Sequence, residues 1–277
     1  MSNSASKKAA PSTVSKLKIL SNKQKDKFVD LTNGLCRLMY YESILQDTVK
    51  AEVVFADTGN SIDGKSVLEG LPLVGTEDVE LECKDNNDTK LKINLNVNKV
   101  TQINEESTAS MIRLDLVSEE FLRNEGGNSR LNVRFDGKIS DHIKRILTDF
   151  LKTEKKLDIE ETNNNYNFIG NNRKPYYVMN WLSKASIPTI AGEKGKTGGF
   201  FFFETSEGFK FKSIDGIFKQ KQKKSLIYNL TTDLPAGYDT KVLDFQGDNP
   251  IRSQEKLNVG AYGTRLVVFD PFNCFYE

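Results

Sequence analysis

From Asp78 to Lys84 the chain sets apolar residues against charged ones: Val79, Leu81 and Cys83 take one side, and Asp78, Glu80 and Glu82 the other. A side-chain period of two belongs to an extended strand with one buried face and one wet face, and a helix would scramble it. The rhythm returns at Leu91, Ile93, Leu95 and Val97, spaced by Lys92, Asn94, Asn96 and Asn98, and again at Ile112, Leu114 and Leu116. Upstream, Val49, Ala51, Val53 and Phe55 carry it too, while Leu31, Leu35, Leu38 and Met39 mark an earlier β segment. The turn formers Asp57-Thr-Gly-Asn60 and Asp85-Asn-Asn-Asp88 punctuate these runs. Several antiparallel strands with polar outer faces and short turns predict a small barrel or sandwich over residues 14–118. The apolar segment Ser66–Gly75, which feeds the acidic strand, is broken by Gly70, Pro72 and Gly75 and reads as a loop.

The rest of the chain has a different texture. Residues 1–13, rich in Ser, Ala and Lys, hold nothing that offsets ordering entropy and read as a flexible tail. Beyond Val117, Ile139, Ile143, Ile146, Leu147, Phe150 and Leu151 fall at helical spacing, with Ser140 or Asp141 as N-cap. A second helix opens at Pro175 and runs through Val178, Trp181 and Leu182. The segments Phe200–Phe203 and Phe209–Lys212, joined by Thr205-Ser-Glu-Gly208, predict a hairpin. Four consecutive Phe put rings on both faces of a strand, so a helix is expected over one face and another subunit over the other. Residues 119–218 therefore make an α+β unit. After the basic run Lys219–Lys224, strands are expected at Leu226–Leu230, Lys241–Phe245 and Arg265–Phe269, so residues 219–277 read as the start of a second β domain. The fold class predicted is mixed, mainly β, with two β-barrel-like domains flanking an α+β insert.

A chain of 277 residues fits two or three domains. A net charge of +1 gives no global attraction to nucleic acid. Cys36, Cys83 and Cys274 are odd in number and widely spaced, which argues against a disulfide framework or a zinc knuckle and for buried free thiols. With His142 as the chain's single histidine, a triad, a two-His metal site or a relay would have to be built around that residue alone. No apolar run approaches the ~20 residues of a membrane-spanning helix and no hydrophobic leader opens the chain, so neither a membrane anchor nor export is expected.

The chemical candidates are each better explained by bland alternatives. Gly195-Lys196-Thr197 lacks the upstream Gly of a phosphate-binding loop and is followed by the Phe run where a helix is required. His142 reads as a surface helical residue. The carboxylate pairs Glu105-Glu106, Glu119-Glu120 and Glu160-Glu161 could serve a glycosidase only if one member were desolvated and the gap fixed, and adjacent acids at helix starts are usually solvated. The run Lys219–Lys224 has no interleaved aromatics and reads as a solvated linker. No catalytic, cofactor-binding or metal-ligating residue is nominated.

Several stretches, taken in order, are similar to a known family. They are Leu31-Thr-Asn-Gly-Leu-Cys36 and Tyr40-Tyr-Glu-Ser-Ile44, the Ser66–Gly75 loop with its acidic strand, Leu116-Val-Ser-Glu-Glu-Phe-Leu122, and Val178-Met-Asn-Trp-Leu-Ser183 followed by Gly199-Phe-Phe-Phe-Phe-Glu204. Together they resemble the central hub protein of contractile phage-tail baseplates, of the T-even-like type. The resemblance implies a structural virion protein without enzymatic activity, placed in the tail baseplate and assembled in the host cytoplasm. It implies a homotrimer in which each subunit gives two tube domains, so that three chains match a hexameric tail tube and seat a trimeric cell-puncturing spike protein. Tail tube proteins are then neighbours, with the baseplate wedge or tape-measure protein as a further one and DNA only as passing cargo. In such a ring Asp78, Glu80 and Glu82 would line the lumen or meet the next ring. The family's second tube domain has strands beyond the point where this sequence stops, a departure from its pattern. Two other readings stay open: a tail-associated peptidoglycan or polysaccharide hydrolase, and a carbohydrate-binding β module.

Overall fold

The computed structural model describes residues 13–22, 27–59, 62, 64–71, 73–84, 90–105, 109–189, 199–222, 225–228, 240–242, 254 and 269–276. The chain divides into two compact units, Met1–Gln222 and Lys223–Glu277. The fold is mixed and mainly β.

The first unit begins with seven strands: β1 (Thr13–Leu20), β2 (Phe28–Asp30), β3 (Leu35–Tyr41), β4 (Lys50–Asp57), β5 (Asp78–Lys84), β6 (Lys90–Glu105) and β7 (Ser110–Val117). They form one antiparallel sheet in the order β2-β1-β5-β6-β7-β4-β3. The edge strands β2 and β3 are consecutive in sequence, linked only by residues 31–34, a reach of at most ~18 Å. In a flat sheet they would lie ~29 Å apart, six strand spacings. The sheet must curl, and it does, into an open half-barrel. The Thr32–Gly34 turn bridges its two ends: Leu31 N–H donates to Leu17 O at 2.8 Å, and Leu17 N–H donates to Thr32 Oγ1 at 3.0 Å. On the other side Gly34 lies against β4, where a Cβ would stand 3.0 Å from Ala56 O.

Strand β6 makes the bend possible. Its first half, to Asn96, pairs with β5, and its second half, from Asn96, pairs with β7. Register shifts at Val97/Lys99 and Gln102/Asn104 break its regular alternation just after that crossover. Inward positions fill the half-barrel: Leu17, Ile19, Val53, Phe55, Val79, Leu81, Leu95, Ile112, Leu114 and Leu116 are all at most 1 % exposed. Each such side chain contributes ~1.5–3 kcal/mol of burial. Helix α1 (Val67–Gly70), capped by Ser66 Oγ accepting from Glu69 N–H, adds Val67 and Leu71 to this core.

A second core follows in the same unit. Its elements are α2 (Glu119–Glu125), β8 (Arg134–Phe135), α3 (Ile139–Arg145, extended by a π-helical turn to Phe150), β9 (Leu157–Ile159), β10 (Phe168–Ile169), α4 (Pro175–Ala185), β11 (Phe200–Thr205), β12 (Gly208–Ser213) and α5 (Ile214–Phe218). Pro175 does open its helix, and the Phe-rich hairpin forms with β9 added in parallel to β12. Helix α3 starts earlier than the Ser140/Asp141 N-cap expected, at Lys138, with no side-chain cap. Ser140 cannot act as the cap because it is already inside the helix, where its N–H donates to Thr162 Oγ1 at 3.0 Å. Val178, Met179 and Leu182 pack with Phe200, Phe202, Phe209 and Phe211, whose rings stack diagonally across the hairpin.

In the second unit, β13 (Leu226–Tyr228) pairs in parallel with β14 (Thr240–Val242), and β15 (Phe269–Asp270) pairs antiparallel with β16 (Phe275–Tyr276). The remainder of the strands expected at 229–230, 243–245 and 265–268 lies outside the described residues.

Candidate functional site

The two cores of the first unit are joined by a buried ionic cluster. Glu204 shares the hairpin face of Phe200 and Phe202, so β11 carries its carboxylate inward, to 1 % exposure. Glu204 Oε1 accepts from Lys155 Nζ at 2.7 Å, and Oε2 accepts from Val49 N–H at 3.0 Å. Lys155 Nζ also reaches Glu120 Oε2 at 2.6 Å, and Glu120 Oε1 accepts from Thr153 Oγ1 at 2.6 Å. Burial alone would depress the Lys155 ammonium, but the charges of Glu204 and Glu120 outweigh it and hold the group above the ordinary lysine value. The buried Tyr176 hydroxyl nearby is pushed well above the usual range by burial and by the same two carboxylates. Thr48 and Ser118 hydroxyls hydrogen-bond at 2.7 Å beside the cluster, and Asn180 Nδ2 donates to Asp47 Oδ1 at 2.8 Å. These bonds fix residues 47–49 onto α4, the residue before α2 and the hairpin. Each carboxylate oxygen has a donor, so the cluster fastens the two halves, with the Lys155 side chain, 30 % exposed, as its reach towards solvent.

The acidic strand is not a bare row of carboxylates. Lys16 on β1 pairs with Glu80 and holds it below the ordinary carboxylate value, and Lys92 on β6 pairs with Glu82 at 3.2 Å. Asp78 accepts from Asn96 Nδ2 at 2.7 Å. Cross-strand lysines therefore neutralise most of the face proposed for a negative lumen. Part of this face forms one wall of a 470 Å³ cleft, whose other wall includes Glu119, Arg123, Lys152 and Lys155.

Within one chain the Phe run is covered unevenly, Phe203 fully and Phe201 in part. Phe203 is 5 % exposed within one chain, and Phe201 and Phe203 sit opposite Lys212 and Lys210. Those lysine side chains are themselves 21 % and 18 % exposed, so their aliphatic stems lie along the rings. What stays open is a 340 Å³ groove beside α4, lined by Ile44, Leu45, Asn180, Lys184 and Phe201. Leu45 is 76 % exposed there.

The other candidates scatter. Glu119 pairs with Arg123 on the surface while Glu120 is buried in the cluster; Glu160 accepts from Ser213 N–H and Oγ; Glu105 ends β6. Glu106, Gly195-Lys196-Thr197 and Lys223–Lys224 lie outside the described residues. His142 is not a surface residue: it is 3 % exposed, donates from Nε2 to Tyr166 O at 2.9 Å and meets the edges of Phe135 and Phe168. The short strands β8 and β10 bring those rings over α3. Cys36 and Cys274 are exposed where buried thiols were expected, because Cys36 faces outward on an edge strand and Cys274 sits in a turn.

One site escaped the sequence reading. Glu77 is 0 % exposed, and its carboxylate accepts from Val74 N–H at 2.7 Å and Gly75 N–H at 3.0 Å. Thr76, between them, has φ +71°, a left-handed conformation that strains a β-branched residue. Asn22 Nδ2 on Thr76 Oγ1, Asn96 Nδ2 on Thr76 O and Thr76 N–H on Val97 O hold it there. The signal was present: Glu77 has the parity of Val79 and Leu81, a charge in the apolar phase.

No protein-family model matches the sequence, and no curated protein matches it either. Among solved structures, the chain is similar to the 43 kDa tail protein of prophage MuSo2 from Shewanella oneidensis, at 9 % identity and a TM-score of 0.51 over 77 % of this chain and 58 % of that one. A tail protein from Neisseria meningitidis aligns at 6 % identity and a TM-score of 0.46, covering 79 % of this chain and 55 % of that one. A type VI secretion component of Escherichia coli, described as structurally similar to T4 bacteriophage tail proteins, aligns at 12 % identity and a TM-score of 0.37, covering 73 % and 46 %. The chain thus spans 58 % of the length of the Shewanella protein and shares the fold of a phage tail protein.

Proposed function

We propose that this chain is a structural component of a contractile tail, the central baseplate hub, working as a homotrimer that adapts a hexameric tail tube to a trimeric spike protein. The observation that carries this reading is the fold held in common with the Shewanella tail protein. The order of family-like segments along the chain supports it independently of that superposition. In this reading residues 14–118 supply one tube domain, residues 219–277 belong to a second, and the α+β unit of residues 119–218 links them. The Glu120–Lys155–Glu204 cluster suits such a part, since it fixes the half-barrel to the α+β elements as a rigid body. The hydrolase reading is not favoured by any arrangement among the described residues, where the carboxylate pairs are dispersed or saturated.

The test is the mass of the full chain in solution, alone and with its spike protein. A trimer, alone or formed on adding the spike, is the expected result. A monomer at micromolar concentration that stays monomeric with the spike overturns the reading.

A further inference from the structure

We infer that the pocket beside Trp181 binds one ring of an acidic saccharide, with the sugar's carboxylate on Arg173; this goes beyond the hub reading above and does not depend on it. The pocket, of 170 Å³, is lined by Tyr177 and Trp181 from α4 and by Ile169, Asn171 and Arg173 from β10 and the turn after it. Tyr177 is 57 % exposed and Trp181 38 %. Four residues apart on one helix, they are surface neighbours with about 5–6 Å between Cβ atoms. Trp181 meets Tyr166 and Phe168 nearly at right angles, at 5.3 and 5.4 Å between ring centroids, and this packing holds the indole in place. Exposed rings at that spacing offer electron-rich faces to the C–H groups of a pyranose, whose hydrogens carry partial positive charge.

Backbone bonds place the polar groups. The Asn-rich run 163–172 uses Asn164 on Ala185 O and Ile187 N–H, and Asn167 on Gly137 N–H. Asn171 and Asn172 take left-handed φ of +47° and +56°, which Asn tolerates. Around them Gly170 N–H donates to Val133 O at 3.0 Å, Asn172 N–H to Leu131 O at 2.7 Å and Arg173 N–H to Gly170 O at 3.0 Å. The turn thus sets the Asn171 amide at the pocket, where its side chain has no partner among the described residues.

Charge selects the ligand. Arg173 alone is charged among the lining residues. Its guanidinium lies over the Tyr177 ring at 5.4 Å and has no ion pair among the described residues. The neighbouring cations are taken: Arg134, opposite Ile169 in the strand pair, holds Asp136, and Lys174 holds Glu125. A nucleic-acid strand needs a track of cations along its phosphates, and this pocket has one. A stable protein interface needs ~800 Å² from each partner around an apolar centre, and the exposed apolar surface here is confined to Ile169, Tyr177 and Trp181. An acidic sugar uses everything present: the ring faces, the amide for its hydroxyls and the planar guanidinium for its carboxylate.

Trp181 is the chain's single tryptophan, so its fluorescence reports on this pocket. The full chain is titrated with oligogalacturonate, the simplest chain of carboxylated pyranoses, with its methyl ester and with a thymidine oligonucleotide, while circular dichroism reports the fold of each variant. Oligogalacturonate is expected to shift the emission saturably, and the uncharged ester to bind about tenfold more weakly. Arg173→Gln should remove that difference and keep ester binding. Tyr177→Ala, at an exposed position, should weaken both saccharides about tenfold without moving the melting curve. No saturation by about 10 mM oligogalacturonate overturns the site. A preference for acid over ester that survives Arg173→Gln overturns the role given to that guanidinium, and tighter binding of the oligonucleotide overturns the saccharide in favour of a stacked base.

Discussion

Glu204 accepts a hydrogen bond from the Val49 backbone at 3.0 Å across 155 positions of sequence, and the same carboxylate holds Lys155. The half-barrel and the α+β elements are thus fastened by one side chain that was brought inside by strand parity. Lys155 neutralises two carboxylates that are 4 % and 1 % exposed. Lys155→Met leaves both uncompensated and should cost about 3 kcal/mol, the low end for a broken buried pair because Lys155 is 30 % exposed. Urea unfolding midpoints measure this, and adding Glu120→Gln and Glu204→Gln to the variant should recover much of the loss.

The same cluster sets an alkaline limit. Burial depresses the Lys155 ammonium, but Glu204 and Glu120 raise it further, so its folded value lies above the ordinary 10.5. A raised cationic group stabilises fully below its unfolded value and loses that contribution as pH climbs through the folded one. The stability gap between wild type and Lys155→Met should stay constant from neutrality towards 10.5 and shrink above it. A gap that narrowed on acidification to neutral pH from 10.5 would contradict the assignment.

Glu77→Ala removes the acceptor of two backbone N–H groups, at a cost of about 2 kcal/mol. The Val74 and Gly75 amides should then exchange with solvent much faster, while the β5 amides, held by their ladder, stay protected. Hydrogen exchange with residue resolution separates the two.

Gly208→Ala tests how the hairpin meets its neighbour. Gly208 has φ +126°, and a Cβ there would stand 2.2 Å from Lys156 O, the acceptor of Phe209 N–H. The substitution should displace β9 from β12 and destabilise by about 3 kcal/mol or more. Gly127→Ala, which meets nothing within 4 Å, is the control and should leave the melting temperature nearly unchanged.

How much of this was legible depends on the range over which each feature is decided. Val79, Leu81, Leu95, Leu114 and Phe55 are buried as their alternation dictates, since period two is a local property of the strand. The helix at Pro175 and the hairpin at Phe200 were likewise local. His142 was misplaced because its cover comes from Phe135 and Phe168, and the latter lies 26 residues away on a two-residue strand too short to show a period. The acidic strand has the buried and wet faces its alternation dictates, but its lysine partners were not legible because Lys16 and Lys92 are neighbours only through pairing. Glu77 and Glu204 carry a legible signal, each a carboxylate at an apolar parity, while the donors that hold them come from other segments.

Strand β6 gives the half-barrel an unusual way of carrying load. Its 16 residues belong to both halves of the sheet, and Asn96 is the position at which its β5 and β7 ladders overlap. A pull entering through β5 therefore leaves through β7 along unbroken main chain, with no layer of side-chain packing in series. To part the halves, force must shear one whole ladder of parallel-acting hydrogen bonds or break the backbone itself. A part built this way deforms as a hinge at its bulges and resists as a tie bar along its length.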